Sequence, residues 1–216
     1  QALNKEVLAE LKDRDGFAEA LRERSKRREK GVKHKAFLAD GQESIWEMHR
    51  EFFADYVPIL DWMHACEYLW KTAYLWLPES SPKAHAWVER QKDRFARGEV
   101  RQVIRTIRQL VRDGTIRGKA RGHTALNVAA YYERHRHRMR YDRYRRMGLP
   151  IGSGAVEGTC RHLVKDRMER SGMRWTIDGA QAVLNLRAVV KSDHQTQFWD
   201  WHRQHEHHRL YERAAA

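Results

Sequence analysis

The sequence predicts a mainly α-helical fold that carries a partial α/β core of a few short strands and an all-helical insertion. Three observations lead there. Across residues 82–147 the apolar positions recur only at helical spacing, with no alternating run among them. Upstream, two short apolar runs are bounded like strands, and each closes on an aspartate. Downstream of residue 147, helical patterns return between glycine and serine breaks.

Taken in order, residues 5–11 are undecided between a weak strand and a helix start. A turn at Asp13, Arg14, Asp15 and Gly16 precedes Phe17, Ala20 and Leu21, which predict an amphipathic helix ending near Gly31. Residues 34–39 are short and partly apolar and end at Asp40-Gly41, a turn pair. A helix through Ile45, Trp46, Met48, His49 and Phe52 follows. Residues 57–60 form the second apolar run, ending at Asp61. Trp62, Met63, Cys66, Leu69, Trp70 and Ala73 then mark an apolar helix.

Within residues 82–147, Trp87, Val88 and Phe95, then Val100, Val103, Ile104, Ile107, Leu110 and Val111, then residues 126–144 read as helices separated by Gly98, Gly114, Gly118 and Gly122. Beyond them, Pro150, Gly152, Ser153 and Gly154 spell a turn into a helix whose first turn carries Glu157. An acid there also suits the helix dipole without any further role. A break at Ser171-Gly172 and a helix with Ala180, Val183, Leu184 and Leu186 on its apolar side lead into a His- and Arg-rich tail.

A chain of 216 residues is long enough for a domain with a real core, and no run resembles a membrane span or a signal peptide, so a cytoplasmic protein is expected. Two cysteines, Cys66 and Cys160, imply no disulfide framework and are expected reduced and buried. The formal net charge is +13, and residues 90–146, with 18 basic against 5 acidic side chains, hold an excess of the same size. A basic excess confined to one segment is the footprint of a phosphate-backbone contact, although a solvated helix face has the same composition. Arg134, Arg136, Arg138, Arg140, Tyr141, Arg143, Tyr144 and Arg145 interleave guanidinium groups with aromatic rings. They are therefore the leading DNA-contact candidates.

Five ordered blocks carry a family resemblance: residues 39–46 (ADGQESIW), 60–70 (LDWMHACEYLW), 139–154 (MRYDRYRRMGLPIGSG), 150–175 (PIGSGAVEGTCRHLVKDRMERSGMRW) and 179–189 (GAQAVLNLRAV). Together they resemble the catalytic domain of ISKra-type insertion-sequence transposases, which are similar to Mutator-type DDE enzymes with a ribonuclease H-like core. The resemblance implies DNA strand cleavage and strand transfer for a mobile element by two-metal phosphoryl transfer, with Mg²⁺ or Mn²⁺ as cofactor. Transposon ends and target DNA are the implied partners, the full-length enzyme would be a homo-oligomer, and the location would be the bacterial nucleoid.

Residue by residue, the resemblance makes Asp40 the second catalytic acid and Glu157 the third, both as metal ligands. Asp61 and His64 match an Asp-x-x-His element that lines the site or positions DNA. Asp61 also reads as a helix N-cap, and His64 equally as a capping or core histidine. Arg161, His162, Lys165, Arg167, Arg170, Arg174 and Trp175 would hold DNA beside the metals; Trp175 also reads as a core residue. The implied organisation is a partial ribonuclease H-like core over residues 1–81, a basic helical insertion over 82–147, core helices bearing Glu157 over 148–195 and a tail over 196–216. No strand bearing a first aspartate precedes Asp40, so the chain is expected to be the C-terminal portion of a longer or decayed transposase. A non-catalytic DNA-binding or regulatory remnant is the alternative. Zinc is disfavoured: His64 and Cys66, like Cys160 and His162, lie two apart, so on a helix they point roughly 200° from each other. The tail histidines His202, His205, His207 and His208 read as a solvated helix.

Overall fold

A computed structural model describes residues 5–11, 13–152, 154, 163–164, 168–169, 173–193 and 195–212. The described residues are mainly helical, with two short parallel strands. They divide into two compact units, one of residues 26–153 and the other of residues 1–25 with 154–216.

In the first unit, β1 (Ala36–Ala39), α2 (Glu43–Phe52) and β2 (Val57–Leu60) form one βαβ passage. The strands pair in parallel from Ala36 opposite Val57 to Ala39 opposite Leu60. Val57 and Asp61 donate their backbone N–H groups to Lys35 and Ala39 of the β1 segment, at 2.8 Å each. Alternate residues of a strand face opposite edges, so Pro58, which has no N–H to give, lies on the edge away from β1 where none is needed. That outer edge is covered. Tyr141 and Tyr144 donate their hydroxyls to the carbonyls of Leu60 (3.1 Å) and Pro58 (3.3 Å).

Five helices complete this unit: α3 (Trp62–Ala73), α4 (Pro82–Ala96), α5 (Val100–Arg112), α6 (Lys119–His135) and α7 (Tyr141–Arg146). Ser81 caps α4 by accepting the Ala84 N–H at 3.2 Å, with Pro82 in the first turn where its missing donor costs nothing. Gly98, Gly114 and Gly118 adopt φ of 76°, 73° and 91° at the breaks between α4, α5 and α6, a region that favours glycine. The helical segment has no core of its own. Trp87, Phe95, Ile104, Ile107 and Tyr132 pack in the same cluster as Trp46, Ile59 and Leu60.

The expected helical run over 126–144 is broken. α6 ends at His135, a 3-10 turn spans Arg136–Arg138, and α7 begins at Tyr141. The cause is a change of inward face: Tyr131, Tyr132 and His135 are buried from α6, whereas Tyr141 and Tyr144, which a continued helix would turn to the opposite side, are buried after the turn. A single straight helix could not aim both sets inward.

In the second unit, α1 (Arg14–Lys26) starts where Asp13 accepts the Gly16 N–H at 2.8 Å. Residues 5–11 are neither strand nor helix. They lie along α8 (Ile177–Lys191), with Gln181 donating to the Ala9 carbonyl at 2.9 Å and Ser192 accepting the Val7 N–H at 3.0 Å. The inward positions of α8 are Ala180, Leu184 and Ala188, at a regular four-residue spacing, whereas Leu186, expected inside, is 50% exposed. α9 (Gln195–His207) buries no residue and runs into a π-helical turn, His208–Glu212. Among the described residues, no helix is long and apolar enough to cross a membrane.

Candidate functional site

The parallel register decides what the two strand-end acids can do. Ala39 and Leu60 are partners, so Asp40 and Asp61 leave the same end of the sheet side by side, and the Asp61 N–H is bonded to the Ala39 carbonyl. The C-terminal end of parallel strands is where α/β folds present chemistry. Asp40 is half-buried, and its Oδ1 accepts the Gln42 N–H at 2.8 Å in the turn leading to α2. Asp61 is 2% exposed, and its Oδ1 accepts the His64 N–H at 2.8 Å, capping α3. The Asp-x-x-His spacing is thus, in backbone terms, the spacing of an N-cap to its third helical residue.

The His64 ring stands edge-on to Tyr68, with centroids 5.5 Å apart, and its Nδ1 lies 3.6 Å from Glu67 Oε2. Tyr68 in turn stacks on Tyr131 at 4.4 Å. Tyr131, from α6, closes the acid pair: a Cβ on Gly41 would overlap its hydroxyl and ring. Gly41 is therefore required by close approach. The neighbour of Tyr131 on the other side is His135, 4.6 Å between centroids. Burial drives the Tyr131 phenol well above its ordinary range, and the charges of Tyr68, Asp40 and Asp61 add to that. One phenol thus senses both carboxylates. Its hydroxyl is buried with no hydrogen-bond partner among the described residues.

The next layer is cationic but inward-facing. Arg138 is 8% exposed, lies 4.0 Å over the Trp46 ring and donates to His135 Nδ1 at 3.0 Å. Because arginine only donates, Nδ1 accepts and the His135 ring is neutral. Burial and then Arg138 push the His135 pKa down to about 4. Arg138 is therefore a core residue and not a DNA contact.

Tyr141 and Tyr144 need the same correction: they are 0% and 3% exposed, and their rings support β2 where exposed bases cannot reach them. Arg134, Arg140, Arg143 and Arg145 are exposed, and Arg136 is half-buried with Nε 3.5 Å from Glu133. Arg174 is exposed and Trp175 is 37% exposed, so the core reading of Trp175 does not hold. Glu157, Arg161, His162, Lys165, Arg167 and Arg170 lie outside the described residues, as does Cys160. Cys66 is buried as expected, with its thiol pushed up to about 12 by desolvation, which makes it inert.

One set of candidates was missed at the sequence level. α5 buries Val100, Val103, Ile104 and Ile107 and turns Arg101, Arg105, Arg108 and Arg112 outward as a continuous stripe. The signal was present, since the apolar periodicity of α5 leaves the arginines on its opposite face.

As a metal site, the acid pair offers hard oxygen donors of the kind Mg²⁺ takes in ones and twos, completing its shell with water. Among the described residues, no group of three His, Cys, Asp or Glu side chains converges to hold a metal ion. Comparison with protein-family models, with curated proteins and with solved structures finds no match.

Proposed function

We propose that this chain is part of a DDE-type DNA transposase catalytic domain with a ribonuclease H-like core, cleaving and joining DNA strands by metal-assisted phosphoryl transfer. The observation that supports it most is the pairing of β1 with β2, which sets Asp40 beside Asp61 at one sheet end within a unit that also carries most of the chain's excess positive charge. The five sequence blocks point the same way.

In this reading Asp40 is the principal ligand to a divalent ion: its Oδ1 is engaged by the Gln42 N–H, which leaves Oδ2 for coordination. Asp61 holds the start of α3 and adds negative charge to the site. Tyr131 packs on Gly41 and walls the pair on the α6 side. A bound Mg²⁺ would supply Lewis-acid polarisation of a phosphate and an activated nucleophile. The third acid of the motif is Glu157.

The test is Mn²⁺ binding, followed by electron paramagnetic resonance, alongside nicking of transposon-end DNA. Asp40→Asn is expected to abolish site-bound Mn²⁺; the chain alone, lacking the first aspartate, is expected to be inactive, and in a reconstituted full-length enzyme Glu157→Gln is expected to remove cleavage while leaving duplex binding intact. Binding of Mn²⁺ undiminished by Asp40→Asn would sink the reading. The basic excess over residues 90–146 equally supports one alternative, a DNA-binding remnant without chemistry. It predicts duplex binding with no Asp40-dependent metal.

A further inference from the structure

A groove of 820 Å³ runs between the N-terminal half of α5 and the 3-10 turn that follows α6. Arg101 and Arg105 line one side, and Arg136 and Arg140 the other. Two acids share the lining, Glu99 and Glu133, and both already face arginines: Glu99 is 4.0 Å from Arg97, and Glu133 is 3.5 Å from Arg136. Arg101, Arg105 and Arg140 have no carboxylate within ion-pair distance among the described residues. Guanidinium groups gathered on one groove repel one another, and an anion bound there relieves that repulsion. The first turn of α5 opens into the same groove through Val100 and adds the positive end of a 13-residue helix, whose N-cap Glu99 makes no side-chain capping bond. Arg108 and Arg112 continue the stripe beyond the groove, at steps of roughly 4.5–6 Å along the axis.

We propose that this groove, with the α5 arginine stripe, grips the phosphate backbone of double-stranded DNA. The polyanion's identity rests on the transposase reading; the anion preference rests on the groove itself. Duplex is favoured over single strand because no Phe, Tyr or Trp is among the described residues that line the groove, whose one ring is the small imidazole of His137. Single-strand binders combine charge with stacking platforms, whereas a duplex backbone needs only donors that reach phosphate oxygens. Tyr131, Tyr132, Tyr141 and Tyr144, which could have stacked on bases, are all buried. The DNA-binding surface thus moves from the tyrosine-rich segment to the outer face of α5 and the Arg136–Arg140 turn.

The experiment is fluorescence anisotropy of a labelled duplex with the full chain, titrated across salt concentrations. Arg101→Ala/Arg105→Ala is expected to weaken binding at least about tenfold and to flatten the salt slope by about 0.9 for each phosphate that is no longer neutralised. Both residues are exposed, so thermal stability should not change, and circular dichroism checks this. Arg143→Ala/Arg145→Ala, exposed on α7 outside the groove, should change the slope little. The proposal is overturned if the α7 pair causes the larger drop in affinity, if the α5 pair leaves the slope unchanged, if single-stranded DNA of equal length binds more tightly than duplex, or if the wild-type chain binds no duplex. The α5 pair should leave Mn²⁺ binding by the chain intact. A loss of Mn²⁺ binding without a loss of DNA binding, or the reverse, therefore separates the acid pair from the groove.

Discussion

Asp61 holds a capping position and a candidate catalytic position at once, and substitution separates the two. Asparagine accepts the His64 N–H almost as well as aspartate does, whereas alanine leaves it orphaned. Asp61→Ala should therefore cost about 1 kcal/mol in urea denaturation, with Asp61→Asn near wild type. A role for the Asp61 charge in metal-dependent chemistry would appear in the asparagine variant as reduced activity at unchanged stability. Equal destabilisation by both variants would refute the capping account.

His135 makes a second residue-scale prediction. Its folded pKa of about 4 lies below the ordinary 6.5, so its contribution is stability that is complete above pH 6.5 and is lost as pH falls towards 4. Such a shift corresponds to on the order of 3 kcal/mol. The physical origin is that protonation would set a second cation against Arg138 in a buried aromatic nest. His135→Gln should flatten the fall in unfolding free energy between pH 6.5 and 4; an unchanged profile would show that His135 does not drive it.

At the scale of elements, β2 depends on α7 for its outer edge. A two-stranded sheet leaves unpaired backbone groups on both sides, and here tyrosine hydroxyls from a six-residue helix satisfy the carbonyls on one of them. Tyr141→Phe keeps the ring and removes the donor to a buried carbonyl. The expected cost is about 1–3 kcal/mol, measured by chemical denaturation, with no change in DNA affinity. Weakened DNA binding at unchanged stability would restore the base-stacking role.

For the whole molecule, the two units keep separate cores. One cluster runs from Ala39 to Leu149 and lies entirely within residues 26–153; the other gathers Leu163, Leu184 and Ala188 with Val7, Ala9, Val164 and Met168. A fragment of residues 26–153 should thus unfold in one cooperative urea transition. A broad, non-cooperative transition would mean that this core needs the rest of the chain. The location of charge is also a whole-molecule property: the excess over residues 90–146 matches the net charge of the entire chain, so the proposed phosphate contact would draw its salt dependence from this unit.

The sequence by itself determined the local elements. Short apolar runs ending in Asp40 and Asp61, and Gly98, Gly114 and Gly118 between helices, are nearest-neighbour chemistry, and each appears where its residues predict; Gly122, expected as a fourth break, lies inside α6 instead, buried against its neighbours. The mainly helical composition and the basic bias of residues 90–146 were equally legible. Only the tertiary structure decided which face of each element turned inward. It paired β1 with β2 so that two acids 21 residues apart in sequence became neighbours. It laid Tyr131 on Gly41, and it buried Arg138, Tyr141 and Tyr144, whose sequence pattern had pointed outward to DNA. The physical reason is that an aromatic or a long cationic side chain is amphipathic: its sequence neighbours do not say whether its apolar body will cover a core or meet solvent. That choice belongs to whatever packs against it, here the outer edge of β2 and the Trp46 ring, both distant in sequence from the residues they bury.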